Sequence, residues 1–488
     1  MKTTILTWTS AAILLFNVIV LQAQVQLGNT ISSMENSVNQ FGRQIELSDD
    51  GLSVAISGPG INNFTGLVRI YDFDQTSSSW IKRGNDILGQ VNGGAFGSSI
   101  GFSGDGMVII IGSENSGRTE VFEWDAVMNN WTQKGSSFIG NNANNLADTA
   151  ISGDGNRIAV AASNNFPVST GSVRIFEWDN VMNDWNQVGQ LLQGNQSGDR
   201  FGDAMSFSDD GNTIAIGAYL DQSNVGSVKI FSWNNLANTW DQRGNDLVGE
   251  SFIYYFGDDL DLSSDGSTII IAARSANHSV TNLKHGHAKV YQWAATNQQY
   301  IQKGQTIEGD NDGDRFGQQV AISGDGQIVV VSADVADTNG FTQVGYVKIF
   351  QFQNNSWTEL VKMDPSIIQS NLFFGSGIDI SSNGRNISIG REFRNPFVEN
   401  YDITSILSNS SLLFENIKLY PNPTHSNLFI ESQEELQSME FFDLSGKRLF
   451  SSKYHVDKIN LERFSQGIYL IKLTSIDGDV LTRKVIKN

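Results

Sequence analysis

The feature that most constrains this chain is a short turn, Ser-x-Asp-Gly, that returns seven times. Its glycines stand at Gly51, Gly106, Gly155, Gly211, Gly266, Gly326 and Gly384, the last within Ser-Ser-Asn-Gly, at separations of 55, 49, 56, 55, 60 and 58 residues. Phe-Gly precedes the turn's Ser by seven residues at Phe41, Phe96, Phe201, Phe256, Phe316 and Phe374, whereas the third unit has Asn145-Leu146 there. Such regular self-similarity means copies of one supersecondary unit, none of which buries its apolar face alone.

Each unit reads as four strands. Residues between Phe-Gly and Ser alternate, as in Ile45/Leu47, Ile100/Phe102, Met205/Phe207 and Val320/Ile322, the period-2 mark of a strand. Asp-Gly supplies the hairpin turn. The next strand is continuously apolar, as in Val108–Ile111 and Ile269–Ala272, which implies burial on both faces. A third strand alternates again (Val173–Trp178, Val228–Trp233), and a fourth opens at Trp80, Trp131, Trp185, Trp240, Tyr300 or Trp357. These aromatics recur once per unit, so they read as packing anchors between units.

Four strands per unit of about 50 residues, repeated radially, predict an all-β fold: a seven-bladed β-propeller over residues 24–402. The seventh unit lacks a Trp-x-x-x-Gly strand, while Val25–Ile31 matches one. The N-terminal strand is therefore expected to close the last blade. An open solenoid would need polar caps at its ends, and the terminal repeats have none. The Phe-Gly…Ser-x-Asp-Gly…Ala-Ile-Gly-Ala unit, clearest at Phe201–Ala218, resembles the FG-GAP-type propeller repeats of integrin α-chains and bacterial surface proteins. That family's calcium loop is shortened here to Ser-x-Asp-Gly, so the resemblance implies architecture rather than calcium at these turns.

Polar residues 403–412 read as a linker. Beyond them, short strands with turn chemistry at Leu444–Lys447 and Asp477-Gly478 predict a small C-terminal β-sandwich over 413–488. The carried residues are Tyr420-Pro421-Asn422-Pro423, Gly446-Lys447 after Asp443-Leu444-Ser445, Gly467-Ile468-Tyr469, and Lys484 to Lys487 near the end. In that order they resemble the C-terminal sorting domain of the type IX secretion system of Bacteroidetes. The resemblance implies handling by that secretion machinery and delivery to the cell surface or medium. At the other end, Lys2, the apolar run Ala11–Leu21 and Leu21-Gln22-Ala23 read as a signal peptide over 1–23, cut between Ala23 and Gln24. The apolar run is too short to span a bilayer.

Composition narrows the chemistry. The absence of Cys excludes disulfides, thiol catalysis and thiolate zinc sites. The formal charge is −20, and from Leu413 onward ten Lys+Arg balance ten Asp+Glu, so the excess lies upstream. Such a surface repels phosphate backbones, and nucleic acid is not an expected partner. Asp310, Asp312 and Asp314 sit in a sequence like an oxygen-ligand calcium loop but lack its terminal Glu, so a connector turn competes with a metal site; no cofactor is expected otherwise. His278, His285 and His287 cluster in the fifth unit, with His287 at an ordinary strand position. Glu46, Asp148, Asp259, Asp261 and Asp379 fall on inner-strand positions near a central channel, where they could do acid–base work or simply be solvated or hydrogen-bonded. No phosphate loop is present.

The longest and most variable segments, such as Tyr219–Gly226 and Arg274–Gly286, are expected on one face with the connector carrying Tyr254 and Tyr255, a candidate binding face. The expectation is a monomeric, non-enzymatic binding or adhesion propeller for an extracellular polysaccharide or protein. A secreted polysaccharide- or peptide-degrading enzyme is the alternative.

Overall fold

The Ser-x-Asp-Gly turn is a hydrogen-bonded unit. In the fourth repeat Ser208 Oγ donates to Asp210 Oδ1 (2.7 Å), which also accepts from Asn212 N (2.9 Å), while Ser208 Oγ accepts from Thr213 N (3.0 Å). The first, second, third, fifth and sixth turns repeat these bonds, and Asn383 replaces Asp in the seventh. Each turn glycine has φ between 64° and 69°, a left-handed conformation that a Cβ would disfavour.

These turns belong to a computed structural model that describes residues 25–33, 40–140, 148–162, 170–251, 254–278, 280–281, 283–407, 418–431, 436–443, 447–452, 458–475 and 480–488. The signal segment with Ala23 and Gln24, the third repeat's Asn145-Leu146 and Gly446 lie outside the described residues.

Up to Asp402 the described strands form seven antiparallel sheets. Their inner strands, which number the sheets 1 to 7, are Ile45–Leu47, Phe96–Phe102, Thr149–Ile151, Met205–Phe207, Leu260–Leu262, Val320–Ile322 and Phe374–Ile380. Each inner strand lies against that of the next sheet, and the seventh returns to the first. The arrangement is all-β and propeller-like. Second strands such as Ser53–Gly58, Thr213–Ala218 and Ile328–Ala333 are buried along their whole length. The Phe of each described Phe-Gly is buried as well. Glycine is needed where sheets meet: a Cβ on Gly226 would come within 2.1 Å of the Phe256 carbonyl oxygen.

One ring of backbone hydrogen bonds joins the turns. Asp49 N donates to Gly104 O, Gly104 N to Gly153 O, Asp154 N to Asp209 O, and Asp209 N to Ser264 O. Ser264 N then donates to Gly324 O, Gly324 N to Ser382 O, and Asn383 N back to Asp49 O, all seven bonds between 2.8 and 3.1 Å. Further out, Trp indoles tie neighbouring sheets. Trp131 Nε1 donates to Arg83 O (3.2 Å), Trp185 to Lys134 O (3.0 Å), Trp240 to Val188 O (3.3 Å) and Trp357 to Lys303 O (2.7 Å).

The join between sheets 7 and 1 follows the same rule with a strand from the other end of the chain. Val25–Gln26 pairs with Tyr401 and Asp402, Ile31–Ser32 pairs with Phe397 and Val398, and Trp80 Nε1 donates to Leu27 O (2.8 Å). Ile403 and Ile406, at the start of the stretch that reads as a linker, are buried in the core shared by sheets 6 and 7, and Thr404–Leu407 forms one helical turn.

The C-terminal segment has two sheets of its own. Lys418–Tyr420, Asn427–Glu431 and Lys458–Asn460 form one, and Leu436–Asp443, Arg448–Ser452, Gly467–Ser475 and Val480–Lys487 the other. Leu428, Ile430, Phe441, Ile471 and Val485 fill the core they share.

Candidate functional site: an acid-lined channel and its rim

The inner strands surround a cavity of about 510 Å³. Because each is the edge of its sheet, its channel-side N–H groups have no strand partner and need another acceptor. Side chains of the preceding sheet supply it. Asp259 Oδ2 accepts from Val320 N (2.8 Å), Asp261 Oδ2 from Ile322 N (2.9 Å) and Asp379 Oδ2 from Leu47 N (2.6 Å). Gln319, Ser206 and Ser99 do the same for Ile378, Leu262 and Thr149. Asp259, Asp261 and Asp379 are therefore bonded along the wall, whereas Asp148 Oδ2 has no hydrogen-bond partner.

Among the described residues, eleven Asp and Glu side chains line this cavity against one basic residue, Arg43. Loss of hydration raises their pKa values, and neighbouring carboxylates add to it. Desolvation lifts Asp259 to about 8 and Asp261 to about 6. Desolvation together with Asp379, Asp261 and Asp259 holds Glu46 well above the usual carboxylate range; Asp379 and Asp148 are raised in the same way. At neutral pH Asp259 therefore retains its proton.

The two ends of the channel differ. At the turn end, Ser264 Oγ and Ser382 Oγ meet at 2.9 Å, and a Cβ on Gly324 would strike both. At the opposite end, the residue before each described Phe-Gly adopts a left-handed conformation: Gln40, Ala95, Arg200, Tyr255, Arg315 and Phe373, with φ between 55° and 57°. Non-glycine residues held there carry backbone strain, which tends to gather at functional sites. This rim carries a Tyr–Arg cluster. The Tyr219 and Tyr255 rings are 5.8 Å apart, Arg200 lies over Tyr219 and Arg274 over Tyr255, and Arg274 pairs with Asp258 at 2.9 Å.

Tyr255 thus lies on the rim beside the second-to-third-strand loop, its N–H donating to Asn224 O (3.5 Å). Tyr254 turns the other way, packing on the core of sheets 4 and 5 with its ring 6.0 Å from His287. Asp310, Asp312 and Asp314 are not brought together. Asp310 pairs with Lys348 and Lys362, Asp312 accepts from Lys284 N, and Asp314 accepts from the Tyr346 hydroxyl and Asn311 N. His278 pairs with Glu308 (3.3 Å), and burial pushes His287 down to about 4. No group of three or more His, Cys, Asp or Glu able to hold a metal ion occurs among the described residues. Arg200 escaped the sequence reading, and Tyr219 and Arg274 entered it only as the first residues of variable segments. Their signal was positional: each stands just before a Phe-Gly or just after a second strand.

In the C-terminal segment, Asn422 clamps the last strand, donating to Lys484 O and accepting from Ile486 N, both at 2.8 Å. Thr424 N donates to Ile486 O, and Asn488 N to Thr424 O. Tyr420 stacks on Phe429, and Tyr469 stacks on Phe441 while donating to Ser465 O (2.8 Å). Lys447 closes a turn against Asp443, and Lys487 Nζ donates to Asn488 O. The Pro-Asn-Pro motif, from Pro421 to Pro423, and the terminal strand thus form one unit, although Asn422 and Lys484 stand 62 positions apart in sequence.

Residues 418–488 match the family model described as "Secretion system C-terminal sorting domain". The protein carries a type IX sorting domain and is exported to the cell surface or medium. No helix among the described residues is long and apolar enough to cross a membrane. Among solved structures, the chain is similar to the hydrazine synthase of Kuenenia stuttgartiensis, at 12% identity and TM-score 0.51 over 75% of this chain and 97% of that one. It is also similar to the Cps50 (Swd1) beta-propeller domain of Myceliophteria thermophila, at 11% identity and TM-score 0.50 over 78% of this chain and 100% of that one. At such identities the likeness is one of fold. No curated protein matches the chain.

Proposed function

We propose that the seven sheets are the blades of an FG-GAP-like β-propeller and that the C-terminal pair of sheets is a β-sandwich read by the type IX machinery after a signal peptide has directed the chain across the inner membrane. The propeller is a non-enzymatic binding module that meets its extracellular ligand at the rim opposite the turns. One observation carries this reading: Asp259, Asp261 and Asp379 are occupied as acceptors for the next blade's N–H groups. A catalytic carboxylate must instead be free to meet substrate. Half-buried Tyr219 and Tyr255 at the rim supply the amphipathic surface that recognition favours.

The test is to incubate the purified mature protein with a panel of polysaccharides and unfolded proteins, measuring both retention and product release. Retention without product is the expected result. Product release abolished by Asp379→Asn would overturn it in favour of a hydrolase or lyase acting in the channel.

A further inference from the structure

Where sheets 6 and 7 meet sheet 1, the rim holds polar oxygens without a hydrogen-bond partner. Asp334, the first residue after the second strand of sheet 6, is 7% exposed, and its Oδ1 has no hydrogen-bond partner. Ser376, just after Phe374-Gly375, is 6% exposed with its Oγ unpartnered. Glu392, the first residue after the second strand of sheet 7, leaves Oε2 unpartnered. All three line the cavity. A buried oxygen left without a donor costs about 1–3 kcal/mol, and three at one seam point to donors that arrive from outside.

The charges around them define the visitor. Asp334 and Glu392 feel each other's charge, and Arg43 acts on Glu392 while Arg315 and Arg274 act on Asp334. Arg274 is engaged with Asp258, whereas Arg43 and Arg315 form no ion pair with a described carboxylate. An ammonium ligand would satisfy the acids but face the guanidiniums, and an anion would meet the reverse conflict. Adjacent hydroxyls avoid both, because each donates to a carboxylate and accepts from a guanidinium. Beside these groups the half-buried rings of Phe373 and Phe393 lie 5.0 Å apart, an apolar face on which the C–H side of a pyranose can pack.

We propose that this seam is a sugar-binding pocket, taking one neutral hexose or pentose residue of a glycan with Asp334, Ser376 and Glu392 as acceptors and Arg43 and Arg315 as donors. The assignment rests on the binding reading above and adds the ligand class and the place.

The experiment is affinity electrophoresis of the full mature chain through gels containing laminarin, xylan, mannan or starch, with an immobilised peptide library in parallel. Asp334→Ala and Arg315→Ala are compared with the unaltered protein. Arg315 is exposed, so its variant keeps the test informative if Asp334→Ala folds poorly. At least one neutral polysaccharide should retard the protein, and Arg315→Ala should weaken that retardation about tenfold or more at an unchanged melting temperature. Retardation identical in both variants would overturn the pocket and leave the binding function standing. Capture by peptides alone would overturn the sugar class. Absence of any binding would overturn both readings.

Discussion

Asp259 shows how much of one residue's role a sequence can carry. Its position on an inner strand was legible from the Ser-x-Asp-Gly register, and so was its nearness to a channel. A hydrogen-bonded role was among the readings, but its partner was not legible, because the N–H it serves belongs to Val320, in the next repeat. The consequence is a pH dependence with a definite sign. Desolvation raises Asp259 from 3.8 to about 8. Between those values the folded state holds a proton that the unfolded chain has released, so stability falls as pH rises. Each such group contributes a slope of about 1.4 kcal/mol per pH unit over its interval. The melting temperature should therefore be higher at pH 5 than at pH 8. Asn at position 259 keeps an oxygen for Val320 and cannot ionise, so Asp259→Asn should raise stability at pH 8 and flatten the profile, as read by thermal denaturation across that range. An unchanged slope would reject the assignment.

The seams between sheets extend the same lesson to elements. The Trp-x-x-x-Gly strand announced its Trp as an anchor, and the residue before its glycine turns out to supply a cation to the next aromatic pair. Arg83 lies 5.7 Å from both Trp124 and Trp131, and Lys303 lies over Phe352 and Trp357. In the third repeat that residue is Val188, and the sequence alone suggests an empty place. Arg157 fills it from a second strand, at 5.2 Å from Trp233 and 5.8 Å from Trp240, while its guanidinium also pairs with Glu177. Periodicity reveals a repeated residue but not a substitution made from another strand. Arg157→Ala should therefore cost about 1–3 kcal/mol, as much as Arg83→Ala, whereas Trp240→Ala should cost about 3–5 kcal/mol because its buried indole leaves a cavity. Urea denaturation of the three variants checks this ordering. In the C-terminal segment, Asn422→Ala removes both bonds to the last strand and should cost about 1–3 kcal/mol in the same assay.

At the scale of the molecule, two ends of the sequence have separable tasks. The strand Val25–Ile31 completes sheet 7, and without it Phe397–Asp402 becomes an open edge and the Trp80 indole loses Leu27. Residues 418–488 have a core of their own and a sorting role. Their strands were readable in the sequence, whereas the Asn422 clamp on the last strand was not, since nothing local marks a contact across the segment. Deleting Val25–Ile31 should lower stability by about 3 kcal/mol or more, since it removes a paired strand and its packed side chains together. Deleting 418–488 should leave the melting transition of the ring in place but abolish export. Two measurements on cells producing each truncated chain separate these effects: thermal melting of the purified product, and its distribution between periplasm, surface and medium. A ring that melts unchanged without Val25–Ile31 would mean that the first strand is not its closure. A chain that still reaches the surface without 418–488 would mean that its route outward is specified elsewhere.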